Sequence, residues 1–146
     1  MKVLNRYATA TWRGAGLDGK GTLTTHSGAL KDQPYSTHTR FVSEDGKAGT
    51  NPEELIAAAH AGCFAMALSF ALAGAGHPPD ELQVGAALHA ETPDIDWTIT
   101  SVKLTLRAKV PGMGREQFDQ ICAAVKAGCP VSKVLNAEIT LDATLL

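Results

Sequence analysis

The chain has 146 residues, 45% of them hydrophobic, and a net charge of -2 from 13 Lys and Arg against 15 Asp and Glu. Such a length predicts one domain, residues 1–146, with ample apolar content for a core. The charge balance, with no basic patch, excludes electrostatic capture of nucleic acid or of anionic lipid, and three cysteines are too few for a disulfide scaffold.

Residues 2–12 are rich in aromatic and β-branched side chains and predict a strand. They alternate and form no apolar block, so no secretory signal is read and the cytoplasm is the expected compartment. A cysteine pair that oxidises there is redox-active rather than structural. Gly14, Gly16 and Gly19 mark turns. Strands are predicted over Gly21–Ser27 and Tyr35–Ser43, and the short connections make the three an antiparallel meander. In the third, Thr37, Thr39 and Phe41 share one face, and His38, Arg40 and Val42 the other.

The stretch from Thr50 to Ala73 predicts one long helix. Asn51 is a good N-cap, Pro52 suits the first helical position, and Glu53 and Glu54 complement the dipole. Beyond that turn the only polar side chains before Gly74 are His60, Cys63 and Ser69, so the helix should be buried all round. At ~1.5 Å per residue it spans roughly 36 Å, more than a small domain's core requires, which implies cover from a second subunit. A membrane span fits the length but not the Ala and Gly content, the internal His60, or the lack of flanking lysine and arginine clusters.

Gly74, Gly76, Pro78 and Pro79 end the helix. Leu82, Val84, Ala86, Leu88 and Ala90 alternate with polar or small residues, as do Val102, Leu104, Leu106, Ala108 and Val110, so the two runs predict a hairpin. Phe118, Ile121, Cys122 and Val125 fall at helical spacing over 115–127. Gly128 closes that helix, and Cys129-Pro130 opens a short helical turn to Leu135. Ile139, Leu141 and Ala143 form a closing strand. The expected fold is α+β in the order βββ-α-ββ-α-β, an antiparallel sheet with a long buried central helix.

Three residues could carry sulfur chemistry. Cys63, mid-helix among apolar neighbours, would have its pKa raised by desolvation, so its activation needs a cation from another segment. Arg40 is the best-placed candidate. The ordinary reading of Cys63 is a buried small hydrophobe, and of Arg40 an exposed strand residue. Cys129, at a helix start, sits where thiols tend to lower pKa. Cys122 packs with Phe118 and Val125 as core. Glu53 is most simply a dipole partner. It lies about 15 Å along the axis from Cys63, so only an arginine or a crossing helix would link them. His60 and Cys63 share a helix face, but without a second ligand cluster they make no metal site.

The runs Pro34-Tyr35 to Thr39-Arg40-Phe41, Gly49 to Leu55, Ala59-His60-Ala61-Gly62-Cys63-Phe64 to Ser69, Ala127-Gly128-Cys129-Pro130-Val131-Ser132-Lys133-Val134-Leu135 and Ala137 to Asp142 resemble the OsmC/Ohr family, more closely its osmotically inducible branch. The resemblance implies a thiol peroxidase for organic hydroperoxides, working as an intertwined homodimer. By it, Cys63 matches the peroxidatic cysteine, Cys129 the resolving one, Arg40 the arginine that stabilises the thiolate and Glu53 the glutamate that holds the arginine. Cys63 would pass through a sulfenic acid to a disulfide with Cys129, which an external dithiol then reduces. No metal, haem or flavin is implied, and an apolar substrate pocket is expected from Phe64, Met66 or nearby residues. The alternative from another class is a non-catalytic dimeric module binding a small hydrophobic ligand along the apolar helix.

Overall fold

The computed structural model describes residues 1–146, which divide into two compact units, 1–55 and 56–146.

In the first unit, β1 (Ala8–Arg13), β2 (Lys20–Thr25) and β3 (Gln33–Ser36) form an antiparallel three-stranded sheet in chain order. A 3₁₀ turn at Gly16–Asp18 links the first pair, and the Trp12 and Tyr35 rings pack at 5.3 Å between centroids. Two expectations change here. Residues 1–7 lie outside the strand predicted over 2–12. The strand predicted over Tyr35–Ser43 ends at Ser36, and His38–Val42 form a single π-helical turn. Side-chain hydrogen bonds favour the turn over the ladder: the Ser36 N–H donates to Thr39 Oγ1 at 2.9 Å and the Thr39 N–H to Ser36 Oγ at 3.1 Å. Thr39 Oγ1 also reaches the Thr50 carbonyl at 3.0 Å. The alternating faces expected for residues 37–42 therefore do not exist.

The long helix, α1, runs Pro52–Gly74. Its N-cap is as the sequence indicates, with Asn51 Oδ1 accepting the Glu54 N–H at 2.8 Å. It is not buried all round. His60, Phe64, Leu68 and Leu72, one helical stripe, are fully buried, whereas Gly62, Met66, Phe70 and Ala73 are exposed along another. One chain of this size does not cover both sides of a helix that is apolar on both. By length and composition α1 could cross a membrane, but Phe64, Leu68 and Leu72 belong to a protein core.

In the second unit, β4 (Glu81–Glu91), β5 (Thr98–Lys109) and β6 (Glu138–Leu145) form the sheet β4-β5-β6. The β4–β5 hairpin is antiparallel, but β6 pairs parallel to β5, so the expected all-antiparallel sheet is instead two sheets, one of them mixed. The cause is the connection: α2 (Arg115–Gly128) and α3 (Pro130–Val134) cross between β5 and β6, giving the chain length that a parallel return requires. Central β5 buries Val102, Leu104, Leu106 and Ala108 completely and exposes Lys103, Thr105, Arg107 and Lys109, the alternation that the sequence carries. These four join Phe64, Leu68, Leu72, Phe118, Cys122 and Cys129 in one buried cluster. Arg115 ties the start of α2 to β6 through a bond from Nη2 to the Ala143 carbonyl at 2.9 Å.

Candidate active site

Cys63 lies on α1 between the buried stripe and the exposed one, and is partly exposed. Cys129, 1% exposed, is the N-cap residue of α3, where Pro130 takes the first helical position and cannot continue α2. The crossover thereby carries Cys129 to α1. The two sulfurs, 66 residues apart in sequence, are 3.0 Å apart and hydrogen-bonded, and both cysteines are free thiols.

The two thiols are driven in opposite directions. Burial pushes the Cys63 thiol up, and the bond to Cys129 adds to that; the Val131 backbone opposes it. Burial also raises Cys129, but the bond to Cys63, the backbone N–H groups of Ser132 and Val131 and the Ser132 hydroxyl outweigh it and set Cys129 below its ordinary value. The sulfur makes no short capping bond, so these donors act on it at longer range. Since the sulfurs touch, the two thiols titrate as a pair, and within it Cys129 gives up its proton more readily than Cys63.

Arg40 sits on the π-helical turn, with Glu53 in the first turn of α1. Arg40 Nε donates to Glu53 Oε1 at 3.0 Å and Oε2 at 3.1 Å, and Nη2 also meets Oε1. The Arg40 Cζ lies 4.6 Å from the Phe41 ring centroid. Two pairs are thus assembled, Arg40 with Glu53 in one unit and Cys63 with Cys129 in the other. A hollow of 300 Å³ beside Arg40 is lined by Trp12, Tyr35, Ser36, Thr37, Phe41 and Pro52. Of Phe64 and Met66, expected with their neighbours near an apolar pocket, neither lines this hollow. Phe64 is sealed in the core and Met66, 65% exposed, belongs to the open stripe.

His60 is fully buried one turn before Cys63, and its Nε2 lies 2.7 Å from Ser132 Oγ. Burial holds the imidazole below its ordinary pKa, hence neutral. Ser132 was not singled out from the sequence, although its spacing, three residues after a helix-opening cysteine, is that of a side chain facing its own N-cap. Cys122 is core, as its spacing indicated, and burial first, then Asp119, pushes its thiol up to about 11.

Residues 44–144 match the family described as OsmC-like protein. The chain is 47% identical over 140 residues to Peroxiredoxin OsmC of Escherichia coli (strain K12), spanning 96% of each protein, and equally so to Peroxiredoxin OsmC of Shigella flexneri.

The chain belongs to the OsmC family.

At that identity and coverage it is an enzyme of the cysteine-based peroxidase class, which displaces the alternative of a non-catalytic binding module. The crystal structure of the organic hydroperoxide resistance protein OhrB of Bacillus subtilis aligns over 97% of this chain and 98% of its own, at 26% identity and a TM-score of 0.66. An OsmC-like protein of Vibrio cholerae shares the fold, with a TM-score of 0.77 at 14% identity over 97% of this chain and all of its own. The family match takes in Glu53, Cys63 and Cys129 and begins after Arg40.

Proposed function

We propose that this OsmC-family protein reduces organic hydroperoxides to alcohols, with Cys63 as the attacking and Cys129 as the resolving cysteine. The observation supporting it most directly is the 3.0 Å separation of two free thiols held by different helices. In the proposed sequence the Cys63 thiolate attacks the distal peroxide oxygen, the O–O bond breaks, and the alkoxide leaves and takes a proton as alcohol. Cys63 is left as a sulfenic acid, oxidised by two electrons. The Cys129 sulfur then bonds to the Cys63 sulfur, and hydroxide leaves with a proton as water. An external dithiol reduces the disulfide by exchange, supplying both electrons. Sulfur carries every step, so the sequence calls for no metal or organic cofactor.

Because burial and Cys129 raise the Cys63 thiol, the first step needs a cation, and Arg40, fixed by Glu53, is the proposed source. The family resemblance supports this role and the doubly held guanidinium suits it. The aromatic hollow beside Arg40 suits an alkyl or aryl group better than water, which favours hydroperoxides carrying one. The exposed apolar stripe of Gly62, Met66, Phe70 and Ala73 on α1 supports a homodimer as the working form, and the cytoplasm is the proposed compartment.

The deciding experiment follows loss of cumene hydroperoxide with a dithiol present. Consumption should cease in Cys63→Ser, and mass spectrometry of the peroxide-treated wild type should find a 63–129 linkage. Unchanged consumption in Cys63→Ser would overturn the reading.

A further inference from the structure

His60 is the one buried polar side chain of the second unit that the peroxidase scheme leaves without work. Its position is costly: Nδ1 is buried with no hydrogen-bond partner, while Nε2 is bound across 72 residues to Ser132 Oγ at 2.7 Å. A leucine in its place would bury more cheaply. The bond joins α1, which carries Cys63 three residues later, to α3, which opens with Cys129 three residues before Ser132.

The chemistry of a hydroxyl limits what such a bond can do. Ser132 has one O–H, so it either donates that O–H to His60 or accepts the His60 N–H and keeps its own O–H for a third group. The orphaned Nδ1 decides between them. If Nε2 accepted, Nδ1 would carry an unpaired buried N–H, which proteins tolerate less readily than an unpaired acceptor. Nε2 is therefore the N–H, Ser132 Oγ its acceptor, and the Ser132 proton is free for the sulfur on the same helix. Burial keeps His60 neutral, so the arrangement holds without a buried charge.

We propose that His60 is a positioning residue for the resolving step: through its Nε2–H it aims the Ser132 hydroxyl at Cys129, so that Cys129 is a ready thiolate when Cys63 becomes a sulfenic acid. The groups acting on the Cys129 sulfur are Cys63 from α1 and, from α3, the backbone N–H groups of Val131 and Ser132 and the Ser132 hydroxyl. Of the four, the backbone N–H groups are set by the helix and the Cys63 thiol faces Cys129 alone, whereas the Ser132 hydroxyl is a rotor that a further side chain also holds. His60 fixes it. No proton is transferred along the chain; attack by the Cys129 thiolate forms the S–S bond and expels hydroxide from Cys63, as in the scheme above.

This inference rests on Cys129 being the resolving cysteine, but the state of its thiol is measured separately. The test is the pH titration of Cys129 in the reduced, full-length protein, followed by NMR of its isotope-labelled Cβ, which reports ionisation of a buried sulfur without a reagent having to reach it. Comparison with Cys63→Ser and Cys122→Ser assigns the resonance. In Ser132→Ala and His60→Leu the profile should move up by about one pH unit, an approximately tenfold loss of thiolate near neutrality. His60→Gln, which keeps a side-chain N–H, should return the profile towards the wild type, whereas a purely structural histidine would show no such rescue. Should His60→Leu not fold, Ser132→Ala and His60→Gln decide alone. An unmoved profile in Ser132→Ala, or no difference between His60→Gln and His60→Leu, overturns the proposal. A wild type that forms no 63–129 linkage overturns the resolving role of Cys129 instead and leaves the titration standing.

Discussion

Glu53 holds Arg40 at both carboxylate oxygens, Oε1 and Oε2 lying 3.0 and 3.1 Å from Nε. The side chains keep 35% and 22% of their exposure, so the pair stands in partly solvated surroundings. Such pairs contribute about 0–1 kcal/mol. Glu53→Ala should therefore shift the urea midpoint little, yet slow oxidation of Cys63 by about tenfold or more as the guanidinium loses its orientation. Parallel urea titrations and stopped-flow single turnovers separate the two effects.

Arg40 acts, in the proposed scheme, before the sulfenic acid exists, and Cys129 only after. Arg40→Ala should slow single-turnover oxidation of Cys63, whereas Cys129→Ser should complete that turnover and then stall. Arg40→Lys should recover only part of the rate, because an ammonium cannot reproduce the forked contact with Glu53. Equal first-turnover rates in Arg40→Ala and Cys129→Ser would remove Arg40 from the first step.

Burial raises Cys122 from 9.0 to about 11 in the folded chain. Between those values the unfolded chain releases a proton that the folded chain retains, so stability is intact below pH 9 and falls as pH rises towards 11. The loss should reach roughly 2–3 kcal/mol. Cys122→Ala should flatten that part of the curve in urea titrations from pH 8 to 11, at a cost for the lost packing that is the same at every pH.

The two stripes of α1 should respond oppositely to substitution. Leu68, fully buried, should cost about 2–5 kcal/mol as Leu68→Ala. Met66→Asp, on the exposed stripe, should leave a single chain's packing intact and instead weaken the proposed association, lowering the mass seen by sedimentation equilibrium.

Much of this protein is legible in its sequence because local signals and burial agree. Asn51, Pro52 and the two glutamates mark the start of α1 within a residue, and the strict alternation from Val102 to Val110 marks β5. What escaped has a common cause in partners distant along the chain. Nothing within residues 37–42 shows that Thr39 will bond to Ser36 and Thr50, so a β-branched run that looks like strand closes into a π-helical turn. The direction of β6 depends on the path of α2 and α3, not on its own residues.

The candidate site divides the same way. Cys63, Cys129 and Arg40 are each suggested by type and place, and the pairing of Arg40 with Glu53 by family likeness, but no pattern along one segment brings sulfur to sulfur. Ser132 escaped because serine after a helix cap is commonplace. It becomes informative only beside a buried histidine from another helix.

The unequal shielding of the two sulfurs also sets a direction for regeneration. In the proposed disulfide, Cys129 is walled in by the core and Cys63 faces outward, so an incoming thiol meets the Cys63 sulfur first. The mixed intermediate then forms on Cys63, and Cys129 departs as the leaving group. Because its surroundings favour the anion, departure is quick and recapture of a proton slow. The same asymmetry that shelters one thiol from the oxidant makes it the better one to expel.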